Sequence, residues 1–190
     1  MSYYKDQLNI WLKKLNIKAD RVLDLGGGEN PVKSRVALWE VNDYKILDND
    51  IRFKPDILAD INYPLNEKIR ASKYRDFDIV FCLEVAEYVW SPITFHKNIW
   101  DLLKPGGIAY ISYPTIYPLH NPVGIDYLRY SKNAIEKLLT EVGFKTWEIA
   151  PRVATRGKKA LATFYQLEGM HPIKRDDSIF DIGYMVKVSK

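Results

Sequence analysis

The chain has 190 residues, 47% hydrophobic and 27% charged, which is enough apolar material for the core of one ordinary domain and excludes global disorder. Its single cysteine, Cys82, excludes a disulfide scaffold and a four-thiolate zinc site, and no apolar run reaches the ~18 residues of a membrane span. The net charge is +4, and residues 131–190 hold all of the excess, with 11 Lys/Arg against 7 Asp/Glu. A nucleic-acid binder usually concentrates more charge than this, so nucleic acid is an unfavoured partner. The N-terminal stretch MSYYKDQLNIWLKKLNIK lacks the apolar run of a secretory signal. The expectation is one cytoplasmic domain over residues 1–190, with no membrane partner.

Taken in order, Leu8, Trp11, Leu12 and Leu15 have helical spacing and predict an amphipathic first helix. RVLDLGGG reads as a short buried strand running into a glycine turn, with Pro31 where a helix can begin. VALWEV leads to YKILDND, a second strand ending in acids, and DILADI is a third. FDIVFCLEV is the most strand-like run in the chain. Ile93, Phe95, Ile99, Leu102 and Leu103 then predict a helix that KPGG stops. IAYISYP is a fifth strand, and Ser131 and Gly143 bracket the helix KNAIEKLLTEVGF. TWEIAP and IGYMVKV are two more strands, with a helical candidate at Ala160 to Leu167 between them. The alternation predicts an open, doubly wound α/β sandwich of about seven mostly parallel strands, its last strand antiparallel.

In such sheets ligands bind beyond the carboxyl ends of the strands. The residues expected there are Asp24 and Gly26-Gly27-Gly28, then Asp48-Asn49, Asp60-Ile61, Cys82-Leu83-Glu84 and Pro114. A glycine loop of this kind can cradle a pyrophosphate, but Pro31 stands where a GxGxxG turn has its third glycine. The carboxylate of Asp24, just before the glycines, repels a pyrophosphate and suits a ligand with an ammonium group. S-adenosylmethionine is such a ligand, and a nicotinamide dinucleotide is not. Asp48, twenty residues after Gly28, is placed to accept from both ribose hydroxyls; Asp50 is the alternative, and Asp43 lies too early. Asp60 can accept from the adenine amino group, with the backbone of Ile61 at the ring edge.

VLDLGGGENP, the acid in ILDND, LADINYPL, FDIVFCLEVAEYV and LLKPGGIAYISYP resemble, in order and spacing, the motifs of class I S-adenosylmethionine-dependent methyltransferases. IYPLHNPVGIDYLRYSKNAIEKLLTEVGF resembles a type 11-like subgroup with a P-x-x-x-P-x-H loop and a D-Y-x-R-[FY] element. The resemblance spans about Val22 to Phe144. It implies a Rossmann-like sheet with an antiparallel seventh strand, S-adenosyl-L-methionine as cofactor, and a small or medium acceptor such as a sugar or another biosynthetic intermediate. The chain departs from the family in having Tyr88 where a His is frequent after strand four, and its last 45 residues lie outside the resemblance. A nucleic-acid acceptor using the basic tail, and a non-catalytic cofactor-binding module, are the alternatives.

The cofactor set is Asp24, Gly26, Gly27, Gly28, Asp48, Asn49, Asp60, Ile61 and Leu83. His120, in the loop after strand five, is the candidate general base, since its ordinary pKa suits proton transfer at neutral pH. Tyr117 and Arg129 are candidate substrate contacts; Arg129 alternatively pairs with Asp126 to pin the loop. Glu84 either faces the site or caps the next helix. Tyr113, Tyr117, Tyr127 and Tyr130 form either a stacking wall or core packing, and the Tyr3-Tyr4 pair either closes over the cofactor or has no such role. Cys82 reads as a buried small hydrophobe. His96, on an exterior helix, and His171, in the tail, read as structural or solvated, and the three histidines lack metal-ligand spacing.

Overall fold

A computed structural model of the chain describes residues 3–65, 69, 75–119, 125–154, 158–169 and 180–190. His120, His171 and the side chains of Tyr3 and Tyr4 lie outside the described residues. The strands are β1 (Asn16–Leu25), β2 (Leu38–Asp48), β3 (Ile57–Leu58), β4 (Phe77–Cys82), β5 (Leu103–Pro114), β6 (Thr146–Val153) and β7 (Asp181–Ser189). They form one sheet in the order β3-β2-β1-β4-β5-β7-β6. β1 to β5 pair in parallel, and β7 runs antiparallel to both β5 and β6. This is the doubly wound α/β architecture expected from the sequence.

The period of two along each strand sorts the core onto two faces. Leu23 and Leu25 of β1 join Val80, Cys82, Ile111 and Tyr113 on one face, under the helices α2 (Pro92–Leu102) and α3 (Lys132–Val142). Val22 joins Ile79, Phe81 and Tyr110 on the other, under Leu8 and Leu12 of α1 (Tyr3–Leu12). α2 opens on Pro92 at its first position; α3 is capped by the Ser131 hydroxyl and ends on Gly143 at φ 102°.

Three expectations from the sequence are corrected. Between β1 and β2 the chain forms only a three-residue 3-10 turn, Val32–Ser34, and no α-helix starts at Pro31. The register Asn16↔Leu38 to Leu25↔Leu47 explains this. The crossover must travel back nine strand residues, about 30 Å. Its twelve residues wound as α-helix would cover only about 18 Å, so the segment has to stay extended. Second, α2 stops at Leu102, and KPGG lies within β5, where Gly106 takes φ 76° and the register with β4 shifts. Third, α2 does not leave His96 on the exterior: of the two readings it is the structural one that holds, wholly buried with Nδ1 against the Pro92 carbonyl (2.6 Å) and Nε2 against the Tyr113 hydroxyl (2.8 Å). Burial lowers its pKa to about 4, so the ring is neutral, with Nδ1–H donating to Pro92 and Nε2 accepting from Tyr113.

Candidate functional site

The parallel strands all point their carboxyl ends to one edge, and the polar side chains gather there. β1 delivers Asp24 to the α1 face, where it is 2% exposed and lies beneath the glycine loop. Its Oδ2 accepts from the Val32 amide (2.7 Å) and the Tyr44 hydroxyl (2.7 Å). Burial pushes the carboxyl up to about 6, against those two hydrogen bonds and the nearby charge of Arg35. A Cβ on Gly27 would sit 2.3 Å from the Asp24 carboxyl carbon, so glycine is what lets the loop close over the acid. Asp24 therefore holds the loop from behind.

Asp48, at the end of β2, meets the same loop from the front. Its Oδ2 accepts from the Gly28 amide (3.2 Å) and its Oδ1 from the Asp50 amide (3.0 Å), which leaves each oxygen a further lone pair for a ligand hydroxyl. Asp50 is committed elsewhere: it caps the Ile51–Phe53 turn and pairs with Arg52, which holds its carboxyl below the usual range. Asn49 is exposed beside it. Beyond β3, exposed Asp60 accepts from the amide and side chain of Asn62 through Oδ1. Ile61 is buried, and its carbonyl accepts from Asn98 Nδ2 (3.0 Å), which also bonds the Tyr63 carbonyl (2.8 Å). Asn98 thus fastens the Asp60–Pro64 segment to α2. Its signal in the sequence was a polar residue on the inner stripe of Phe95, Ile99 and Leu102.

After β4, buried Leu83 leads to Glu84, whose backbone is left-handed at φ 58°. Glu84 neither caps α2 nor stands alone. Its Oε1 accepts from Ser112 Oγ (2.7 Å) and from Arg152 Nη2 (2.7 Å), while its amide donates to Ser112 Oγ (2.7 Å). Burial opposes the charge on Glu84, but Arg152, Ser112 and Arg35 outweigh it and hold the carboxyl below its ordinary range. Arg152, fully buried on β6, had no sequence motif to mark it. α1 is tied to the same corner, since Gln7 bonds both the amide and the carbonyl of Val153 and Asn9 accepts from Arg35.

The segment after β5 forms a loop closed at its base, with the Tyr130 amide on the Pro114 carbonyl (2.8 Å) and Thr115 Oγ1 on the Tyr130 carbonyl (2.6 Å). The amides of Tyr127 and Leu128 donate to the Glu87 carbonyl, and the Tyr130 hydroxyl donates to the Ala86 carbonyl. Arg129 forks onto Asp126 and also donates to the carbonyls of Tyr117, Pro118 and Leu128. That is the pinning arrangement. Tyr117 is half-buried and Tyr127 exposed, whereas Tyr113 and Tyr130 are buried and stack edge-on in the core. Glu87, 1% exposed, has no hydrogen bond to Oε2 among the described residues. Burial, then the charge of Glu84, pushes its carboxyl up to about 8.

The family model described as a methyltransferase domain matches residues 23–111, from β1 through β5. Over those residues, a little under half of the chain, the sequence is similar to a methyltransferase domain. S-adenosylmethionine is the cofactor that goes with this domain. Solved structures share the methyltransferase fold. An S-adenosylmethionine-dependent methyltransferase from Mesorhizobium loti aligns over 100% of this chain and 99% of its own, at 13% identity and TM-score 0.62. A putative methyltransferase in complex with the Trm112 methyltransferase activator of Haloferax volcanii aligns over 98% of this chain and 89% of its own, at 15% identity and TM-score 0.63. The Haemonchus contortus phosphoethanolamine N-methyltransferase 2, in complex with S-adenosyl-L-methionine, aligns over 99% of this chain and 52% of its own, at 14% identity and TM-score 0.54. At these identities the likeness is one of fold. No curated protein matches the sequence.

The carboxyl edge suits this cofactor. Its glycine turn is followed by a single 3-10 turn, so no α-helix dipole faces the loop to hold a pyrophosphate, and the donors and acceptors present fit a nucleoside without phosphate.

Proposed function

We propose that the chain transfers a methyl group from S-adenosylmethionine to a small or medium acceptor, a sugar or another biosynthetic intermediate first among them. The observation that carries this reading is Asp48 held against Gly28 at a glycine turn with no helix behind it. The proposed cofactor residues are Gly26, Gly27 and Gly28 with Leu83 for the amino-acid end, Asp48 and Asn49 for the ribose, and Asp60 and Ile61 for the adenine. Asp24 acts by holding the glycine loop.

Bound there, the cofactor supplies an activated methyl group. The work left to the protein is alignment of the acceptor with it, since displacement must be in line. The loop from Thr115 to Tyr130 supplies that alignment, with Tyr117 as an acceptor contact and Arg129 keeping the loop shut. His120 takes the acceptor proton when the acceptor is a hydroxyl or an amine.

Titration calorimetry with S-adenosylhomocysteine and with NAD tests the cofactor, with a dissociation constant expected in roughly the micromolar range for the former. Tighter binding of NAD sinks the reading. Turnover over a panel of acceptors tests the transfer. His120→Ala is expected to lower turnover by ~10²–10⁴-fold at unchanged cofactor affinity, and normal turnover by His120→Asn removes the base.

A further inference from the structure

The carboxylate of Asp24 suits a ligand ammonium by its place before the glycines, but the fold withdraws it from that duty. It is 2% exposed behind the loop, and a Cβ on Gly27 would meet its carboxyl carbon at 2.3 Å. An ammonium that meets the loop from its open side needs another anion.

The turn after β4 supplies one. β4 lies beside β1 in parallel, with Leu25 opposite Cys82, so Glu84 leaves the sheet next to the glycine loop. The two turns touch, since a Cβ on Gly26 would stand 2.3 Å from Val85 Cγ2. Glu84 holds φ 58°, a left-handed backbone that residues other than glycine rarely adopt. Ser112 fixes it there: its hydroxyl accepts from the Glu84 amide and donates to Oε1, each at 2.7 Å. Arg152 Nη2 donates to the same oxygen. Both bonds to the carboxylate thus fall on Oε1, and among the described residues no donor meets Oε2. The side chain keeps 25% of its surface open to solvent.

Charge separates the two acids further. Burial pushes Asp24 up to about 6, whereas Arg152, Ser112 and Arg35 hold Glu84 below its ordinary range. Arg35 follows the glycine loop, and it commits three N–H groups to the Asn9 side chain and the Asn30 carbonyl. A guanidinium has five, so two remain. The charges of Arg35 and Glu84 act on each other. An open carboxylate oxygen and unspent guanidinium donors in one corner are the complement of an α-amino acid.

We propose that Glu84 takes the ammonium group of the cofactor's methionine end on Oε2, with Arg35 for its carboxylate, while Asp24 serves the loop alone. This rests on the methyl-transfer reading of the same site, and it makes the corner the part that tells S-adenosylmethionine from a plain nucleoside.

The test is titration calorimetry with S-adenosylhomocysteine and with methylthioadenosine, which keeps the adenosine and the thioether but lacks the amino-acid end. Glu84→Gln should weaken S-adenosylhomocysteine at least ~10-fold and leave methylthioadenosine within about twofold. Because that change takes a partner from Arg152, Glu84→Gln/Arg152→Met is measured too, and the same selective loss is expected. Arg35→Met should also weaken S-adenosylhomocysteine selectively; an unchanged affinity there takes the carboxylate away from the arginine. Asp24→Asn should weaken both ligands alike, through the loop. Three results overturn the proposal and leave the cofactor reading intact: unchanged S-adenosylhomocysteine binding by Glu84→Gln, equal loss of both ligands in the two Glu84 variants, or a selective loss in Asp24→Asn. Failure of the wild type to bind either ligand removes the methyl-transfer reading, and the proposal with it.

Discussion

The amide of Gly28 donates to Oδ2 of Asp48 at 3.2 Å, so the glycine loop of the first strand and the acid of the second are one unit. Asp48→Ala is expected to weaken S-adenosylhomocysteine binding by ~1.5–3 kcal/mol, the worth of hydrogen bonds to a charged acceptor. Gly28→Ala should weaken it too, because the new Cβ would stand 2.7 Å from Asp48 Oδ2 and 2.6 Å from Phe53 Cβ. Calorimetry reads both. An unchanged constant in Asp48→Ala takes the ribose role away from this acid.

Buried Arg152 and half-buried Glu84 make an ion pair across four strands of the sheet. Arg152→Met takes the strongest partner from a half-buried carboxylate and should cost about 2 kcal/mol in urea denaturation. Adding Glu84→Gln should recover part of the loss, since no charge is then left unpaired. A double variant no more stable than the single would show that packing of the arginine, rather than its charge, matters.

Glu87 gives a pH dependence with a definite sign. Its folded-state pKa, about 8, lies above the ordinary 4.5. The folded protein therefore holds a proton that the unfolded chain has lost, and stability falls as pH rises through that window. Glu84, Arg152 and Asp126 are the charged groups that act on it, with Tyr88, Tyr130 and Cys82 as titratable neighbours. Asp24 contributes the same sign but only up to about 6. Between pH 6.5 and 9 the wild type should thus lose about 2 kcal/mol that Glu87→Gln keeps. Parallel denaturation midpoints for the two proteins across that range would contradict the assignment.

Arg129→Ala removes the fork on Asp126 and the donors to three loop carbonyls. The amides of Tyr127 and Leu128, bonded to the Glu87 carbonyl, should then exchange with solvent at least ~10-fold faster, while S-adenosylhomocysteine affinity stays within error. Exchange at the wild-type rate would mean that the loop is held without the arginine.

The sequence by itself determined the strands of the parallel half and the acids that stand at their carboxyl ends. Near-continuous apolar runs in RVLDL and FDIVFC specify strands buried on both faces, and in a parallel sheet their carboxyl ends fall on one edge. It also placed the caps of α3, because Ser131 and Gly143 act through their immediate neighbours. What only the tertiary structure decided depends on residues far apart in the chain. The missing helix after Gly28 follows from the register of β1 against β2, a length constraint that no local pattern carries. The inward turn of His96 follows from the position of the Tyr113 hydroxyl, and the grip of Asn98 on Ile61 and Tyr63 from the segment after β3 meeting α2. Arg152 reads as an ordinary strand charge until β6 is set at the sheet's edge and its guanidinium reaches Glu84 over a span of 68 residues. Local physics is written in neighbouring residues, whereas a buried charge finds its partner only once the sheet has closed.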